Sequence, residues 1–357
     1  MFRGSYKSKG CKVPWGVLAV TTLFATSAAL AQNPVDRLPV DIKGNWGFIN
    51  TKGRLVIPAN FSFAWGFSEG LASAWKDGKA GYIDKSGKFI IPPQFHYARA
   101  FIDGLANVEL GGKWGYINKN GTFVIHPRYA EARPFSEGLA AVQAENSLWG
   151  FVDKQGKETI PPQFTLAWSF GENLAAVYHG DHCGFINMVG TVVIPFRFNE
   201  CAGMKDGIGI ARVGKQWGFI DNSGEFFIAP RFENAELFFE GLAAVKLNGK
   251  WGYIDRDGRF AIPPQFDDSQ LERKITVFSE GLAGVAKDGK FGYINRSGTY
   301  VIAPKFVKGG RFQNGFAEVC NSKTCLYINK KGRIIWPKKH AGGPVPRISA
   351  VNLHSAD

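Results

Sequence analysis

A five-residue signature recurs nine times along the chain and constrains its fold more than any other feature. Trp46-Gly47-Phe48-Ile49-Asn50 returns as Ala80-Gly81-Tyr82-Ile83-Asp84, Trp114-Gly115-Tyr116-Ile117-Asn118 and Trp149-Gly150-Phe151-Val152-Asp153. It comes back as Cys183-Gly184-Phe185-Ile186-Asn187, Trp217-Gly218-Phe219-Ile220-Asp221, Trp251-Gly252-Tyr253-Ile254-Asp255, Phe291-Gly292-Tyr293-Ile294-Asn295 and Cys325-Leu326-Tyr327-Ile328-Asn329. The step is 34 residues, except for one of 35 and one of 40. A unit of this size cannot bury its own apolar face, so neighbouring copies must stack into a continuous core.

Each copy reads as β-structure. After the aromatic and Ile or Val, an Asp or Asn is followed three residues later by glycine, as in Asp84 to Gly87. The Asx side chain bonds its own backbone and the glycine supplies the positive φ of a tight hairpin turn. A second strand follows and usually ends at Ile-Pro, as in Phe89-Ile90-Ile91-Pro92-Pro93, because proline cannot donate to a ladder. A connector of about ten residues with two aromatics, Phe95 and Phe101 in the second copy, leads into Gly104-Leu105-Ala106-Asn107-Val108. That third strand turns at Gly111-Gly112 into the next signature. The expectation is three antiparallel strands per copy. The aromatics read as core, recurring with strand alternation, with the second-position glycine allowing close packing on the alanine of the neighbouring strand.

The pattern resembles the WG-repeat family, tandem units of Trp-Gly-[Tyr/Phe]-Ile-[Asp/Asn]-x-x-Gly, over residues 46 to about 337. Four copies depart from the leading Trp, at Ala80, Cys183, Phe291 and Cys325. The resemblance implies an all-β repeat array with an interaction role, and it brings no catalytic residues. Two architectures would bury such copies. An open solenoid or superhelical array takes any number of units, whereas a closed β-propeller usually has four strands per blade and rarely more than eight blades. Nine three-stranded copies, the last degenerate, favour the open array, with the closed propeller as the alternative.

The ends suggest export. Residues 1–31 carry Arg3, Lys7, Lys9 and Lys12 without an acid, then an apolar stretch closing at Ala29-Leu30-Ala31, the arrangement of a cleaved secretory signal peptide. Residues 32–45 read as a linker, 46–337 as the nine-copy array and 338–357 as a flexible tail. A secreted or periplasmic location without a membrane span after cleavage is expected. Loss of the leader removes four of 43 basic residues and none of the 30 acidic ones, lowering the net charge from +13 to about +9. The basic residues are spread evenly, which argues against nucleic acid. Four cysteines remain, and in an oxidising compartment they admit three pairings. Cys320 and Cys325 flank a four-residue loop at a hairpin mouth, so the expected bridges are Cys320 to Cys325 and Cys183 to Cys201, the latter inside the divergent fifth copy.

Catalytic signatures are missing: no Gly-x-Ser-x-Gly, His-Glu-x-x-His, Walker loop or dinucleotide fingerprint occurs. No enzyme activity and no cofactor are expected. His179, Asp181, His182 and Cys183, with Cys201, are the densest potential metal ligands, but a turn of this kind supplies at most two or three of the four that zinc needs. The simpler reading is an exposed loop beside a disulfide, and no metal is assigned. Two columns recur at fixed offsets: Glu69, Asp103, Glu137, Glu172, Asp206, Glu240, Glu280 and Asn314, and Asn60, Gln94, Arg128, Gln163, Arg197, Arg231, Gln265 and Lys305. The acids read as turn residues accepting backbone N–H bonds; the two columns either pair with each other or leave a polar groove. The 40-residue step adds a loop within Asp267 to Thr276, and Asp267, Asp268, Gln270, Glu272, Arg273 and Lys274 are the candidate binding residues, since insertions in arrays map to one face. The expected function is an exported scaffold with a protein partner in the cell envelope. The alternative is a glycan or peptidoglycan binder using Trp65, Trp75 and Trp168, which lie outside the signature.

Overall fold

In a computed structural model of the chain, residues 36–268, 276–322 and 324–337 are described. Their strands form nine antiparallel sheets, and no helix occurs among them. A typical sheet runs Phe63–Ala64, Ala72–Lys76, Lys79–Ile83 and Phe89–Phe95, each strand pairing with the next. In seven of the nine sheets the expected three strands become four, because the connector adds a strand, of six residues at Glu200–Lys205 and of two elsewhere, as at Tyr97–Ala98 or Leu166–Ala167. The sheets are also out of phase with the sequence copies. After the first sheet, whose opening strand Leu38–Ile42 precedes the first signature, each takes its Gly-Leu-Ala strand, with the short strand where one forms, from one copy, and its signature strand and the strand after it from the next. Every copy but the last thus belongs to two sheets, and the backbone itself links neighbours.

The nine sheets close into a ring, so the open array is not the fold and the closed form is. The physical reason lies at the ends. An open stack leaves two apolar faces wet, whereas here Leu38, Val40 and Ile49 of the first sheet are covered by Phe316, Tyr327 and Trp336 of the last. The same contact runs round the molecule: the Ile of one sheet packs on the hairpin glycine of the next, as Ile57 on Gly87, Ile91 on Gly121 and Ile302 on Gly332. At the closure, Ile335 meets Gly53. The first sheet needs Leu38–Ile42 as a strand, so part of the segment expected to be a linker is structural. Residues 1–31 and 338–357 lie outside the described residues.

Local expectations hold in detail. Asp84 Oδ1 accepts the N–H groups of Ser86 and Lys88 at 2.8 and 3.1 Å, and Gly87 has φ +89°. The aromatics are core: Tyr82 lies 4.7 Å from Phe101 of the next sheet, Tyr116 4.7 Å from Phe135 and Phe151 4.8 Å from Phe170, measured between ring centroids. Where one of the first eight signatures has Tyr, its hydroxyl donates to a carbonyl one sheet on, as from Tyr82 to Arg99 at 2.7 Å and from Tyr116 to Arg133 at 2.6 Å. The second-position glycine differs from expectation. A Cβ on Gly150 would lie 2.5 Å from the Ile160 carbonyl oxygen and 2.7 Å from Pro162 N, so the close approach is to the following strand at its bulge.

Candidate interaction surface

The acid column forms ties between blades. Each acid opens a two-residue hairpin loop, as Glu69-Gly70 between Ser68 and Leu71, and each has a left-handed φ, from +49° at Glu69 to +57° at Glu172. Glutamate is strained there, and such strain persists only where surrounding contacts fix it. The contacts are inter-blade hydrogen bonds. Glu137 accepts the N–H groups of Glu172 and Asn173 at 2.7 and 2.8 Å; Glu172 accepts those of Asp206 and Gly207; Glu280 accepts that of Gly315 at 2.8 Å. The five glutamates do satisfy backbone N–H groups, as the turn reading expected, but those of the next copy, whereas the shorter Asp103 and Asp206 meet cations.

A cation from the next hairpin joins most of these turns. Lys119 reaches Glu69 at 3.1 Å, Lys154 reaches Asp103 at 2.7 Å, Arg256 reaches Asp206 at 3.7 Å and Lys330 reaches Glu280 at 3.4 Å. Arg296 donates to the Glu240 carbonyl. Sequence reading missed the first member, Asp36, which meets Lys85 at 3.2 Å. Its signal was present, 33 residues before Glu69, but it lay before the first recognised signature.

The second column does not pair with the acids. Arg128, Arg197 and Arg231 donate to the hairpin carbonyls of Gly156, Gly224 and Gly258 at 2.7, 2.6 and 2.7 Å, again one blade on. The acids and these three arginines therefore tie neighbouring blades instead of pairing with each other, while Gln163 and Gln265 of the same column turn to carbonyls of their own strands, Pro161 and Pro263, each at 3.4 Å.

Both disulfides form as expected, but one does different work. Cys320 and Cys325 are directly opposed on adjacent strands, with Cα atoms 3.9 Å apart. Cys183 stands at a signature Trp position and Cys201 at the alanine of the short strand, the pair that elsewhere is Trp149 beside Ala167. Their bridge, Cα atoms 6.1 Å apart, joins the fifth sheet to the sixth rather than closing one unit. Cys183 consequently offers no thiolate to a metal, and His179 lies 5.7 Å from Phe196, ring to ring. Among the described residues, the side chains converging as potential ligands are Glu318, Cys320 and Cys325, and its two sulfurs are bonded to each other.

In the insertion, Asp267 and Asp268 are held by the fold. Asp267 pairs with Lys250 and accepts the Asp288 N–H at 2.8 Å; the Lys250 hydrogen bond holds its carboxyl below the usual range. Asp268 accepts the Trp251 indole N–H at 2.7 Å and pairs with Lys246 at 2.8 Å. Gln270, Glu272, Arg273 and Lys274 lie outside the described residues.

The three extra tryptophans part company. Trp168 is buried, with Arg133 stacked between it and Trp149 at 4.3 and 4.8 Å from the ring centroids, so it is no free platform. Burial and the nearby Arg99 pull the Arg133 guanidinium down to about 10, which leaves it charged at neutral pH. Trp75 sits opposite Ala80 and supplies the indole that this signature lacks. Trp65 is 45% exposed and makes an edge contact with Phe63 at 5.1 Å, and Phe63 also touches Trp46 and Trp75 at 5.0 and 5.4 Å.

Nine antiparallel sheets closed in a ring, with signature residues at every seam, define a β-propeller-like repeat protein of nine blades. The model of the WG containing repeat matches residues 46–79, 81–114, 114–147, 149–181, 184–216, 217–251, 251–291 and 291–325, and the chain belongs to this family. No curated protein matches the sequence. Among solved structures, the chain is similar to a eukaryotic initiation factor, at 12% identity over 84% of this chain and 94% of that one, with a TM-score of 0.60. It is also similar to the computationally designed Ika8 protein, at 11% identity over 75% and 93% with a TM-score of 0.47. At these identities the likeness concerns fold alone.

Proposed function

We propose that the chain is an exported, non-catalytic scaffold whose propeller rim binds a protein partner in the cell envelope. The observation that carries this reading is where the reactive-looking side chains go. The acid column, the second column's arginines, Cys183, Cys201, Asp267 and Asp268 are all engaged in holding blades together. What varies from blade to blade is the exposed side chain at equivalent hairpin tips, as at Ser86, Asn120, Gln155 and Val189. A rigid ring with a varied rim suits recognition across an extended surface. Two disulfides and the basic-apolar leader support the oxidising compartment, and no described helix is long and apolar enough to cross a membrane. Nucleic acid has no place in this reading. Cross-linking of the tagged mature chain in intact cells, followed by purification from the envelope fraction, should recover a reproducible protein partner. Recovery of none above an untagged control would overturn it.

A second reading, glycan or peptidoglycan binding, is favoured by the cluster of Trp46, Phe63, Trp65 and Trp75, where aromatic faces could stack on sugar rings. Sedimentation with purified cell wall should carry the wild-type chain down and leave Trp65→Ala behind. Unchanged tryptophan fluorescence with wall fragments would count against it.

A further inference from the structure

The ring of acid turns and hairpin cations loses its cation on two consecutive blades, and only the closing turn, with Asn314 in place of the acid and Thr51 in place of the cation, also departs from it. The residue after the signature Asx is the cation that meets the acid of the preceding blade: Lys85, Lys119 and Lys154 on one side, Arg256 and Lys330 on the other, at 2.7–3.7 Å. In the fifth and sixth blades that residue is Met188 and then Asn222. Among the described residues, Glu137 and Glu172 therefore have no ion pair, although each binds two backbone N–H groups of the next turn. The residue that follows Met188 at the hairpin tip is also apolar. Val189 is 75% exposed, the most exposed large apolar side chain among the described residues, where the corresponding places hold Ser86, Asn120, Gln155 or Ser223.

We propose that this stretch of the ring, formed by Glu137, Glu172, Met188 and Val189, is a docking surface for a protein segment that sets a lysine or arginine beside an apolar side chain. The molecule itself displays the complementary chemistry, since its other acid turns take a lysine or arginine from a neighbouring hairpin. Here the chain withholds that cation, and the hairpin that would carry it for Glu137 presents an exposed valine at its tip. Exposed ion pairs contribute little alone, so burial of Val189 carries the affinity while the carboxylates fix register and speed encounter. The proposal deepens the scaffold reading by naming the face and the chemistry of the partner.

The test uses the mature full-length chain and a fluorescein-labelled twelve-residue peptide of alternating lysine and leucine, read by anisotropy. Control peptides replace lysine by glutamate or leucine by serine. The lysine-leucine peptide should bind, more weakly as salt rises, and both controls should bind at least tenfold more weakly. The double variant Met188→Lys with Asn222→Lys, which supplies the missing cations from within, should weaken binding at least tenfold; because Met188 also packs on the core, Asn222→Lys alone, which should weaken binding severalfold at an unchanged thermal midpoint, separates this effect from a loss of stability. Val189→Ser should weaken it severalfold. Equal binding by the double variant, equal binding of the glutamate-leucine peptide, or no binding of the lysine-leucine peptide would overturn the proposal. If the double variant still captures the envelope partner, this face is wrong and the scaffold reading stands; if the wild type binds the peptide here yet captures no partner, the reverse holds.

Discussion

Replacing Leu38 and Val40 together by alanine tests whether the ring is closed. Both are buried, at 7% and 3% exposure, against a seam that includes Phe316, Tyr327 and Trp336 of the last sheet. The two changes delete five buried carbon atoms, which at about 0.8 kcal/mol each removes about 4 kcal/mol of transfer free energy. The unfilled space adds to that cost, and because the sites are neighbours their effects need not sum. In a closed ring this seam is one of nine equivalent ones, so its loss lowers the stability of the whole. Thermal unfolding followed by near-ultraviolet circular dichroism should show a single transition moved down by several degrees. Trp336, which packs on the seam from the last sheet, should also change its fluorescence. In an open array the first and last sheets would not meet. The variant would then fray only at its N-terminal end, with an unchanged main transition and unchanged Trp336 emission, and that result would refute closure.

Three other outcomes follow from single contacts. Gly150→Ala should destabilise by about 1–3 kcal/mol, because its Cβ would strike the Ile160 carbonyl and Pro162, while Gly66→Ala, with nothing within 4 Å, should stay within about 0.5 kcal/mol of wild type in urea unfolding. Loss of the Cys183–Cys201 bridge should cost about 3 kcal/mol and loss of Cys320–Cys325 about 2 kcal/mol, since the chain-entropy term grows with the loop closed, and paired Cys→Ala variants measured by denaturant midpoint would expose a reversed order. Asp267 has its pKa held down by Lys250, so the stability it adds is present above the unfolded carboxylate pKa near 4 and is lost as pH falls through its lower folded value; Asp267→Asn should flatten the acid limb of the thermal midpoint below about pH 4, and an unchanged limb would show the pair to be idle.

Much of this protein was legible because its physics is local. The Asx-x-x-Gly hairpins, the stop at Ile-Pro and the Tyr or Phe that must be buried depend on residues a few positions apart, and each falls where the sequence puts it. The cysteine pairing was legible too, since hairpin geometry left little choice for Cys320 and Cys325. The acid turns were recognised as backbone-bonding residues, but their partners in the next blade, 34 to 36 residues on or 41 across the insertion, were not.

What the sequence determines by itself is the unit and its apolar faces; it requires those faces to be covered but does not say by what. Closure was decided only in three dimensions. A two-residue strand such as Tyr97–Ala98 is too short to announce itself by alternation, yet such a strand completes six of the seven four-stranded blades. Whether nine blades return to their start depends on a small rotation between neighbours, set by contacts like Ile91 on Gly121 and repeated round the ring. The last seam, Leu38 and Val40 against Phe316 and Trp336, joins residues nearly 300 positions apart. No local pattern encodes that meeting, because it follows from the accumulated geometry of all the units between.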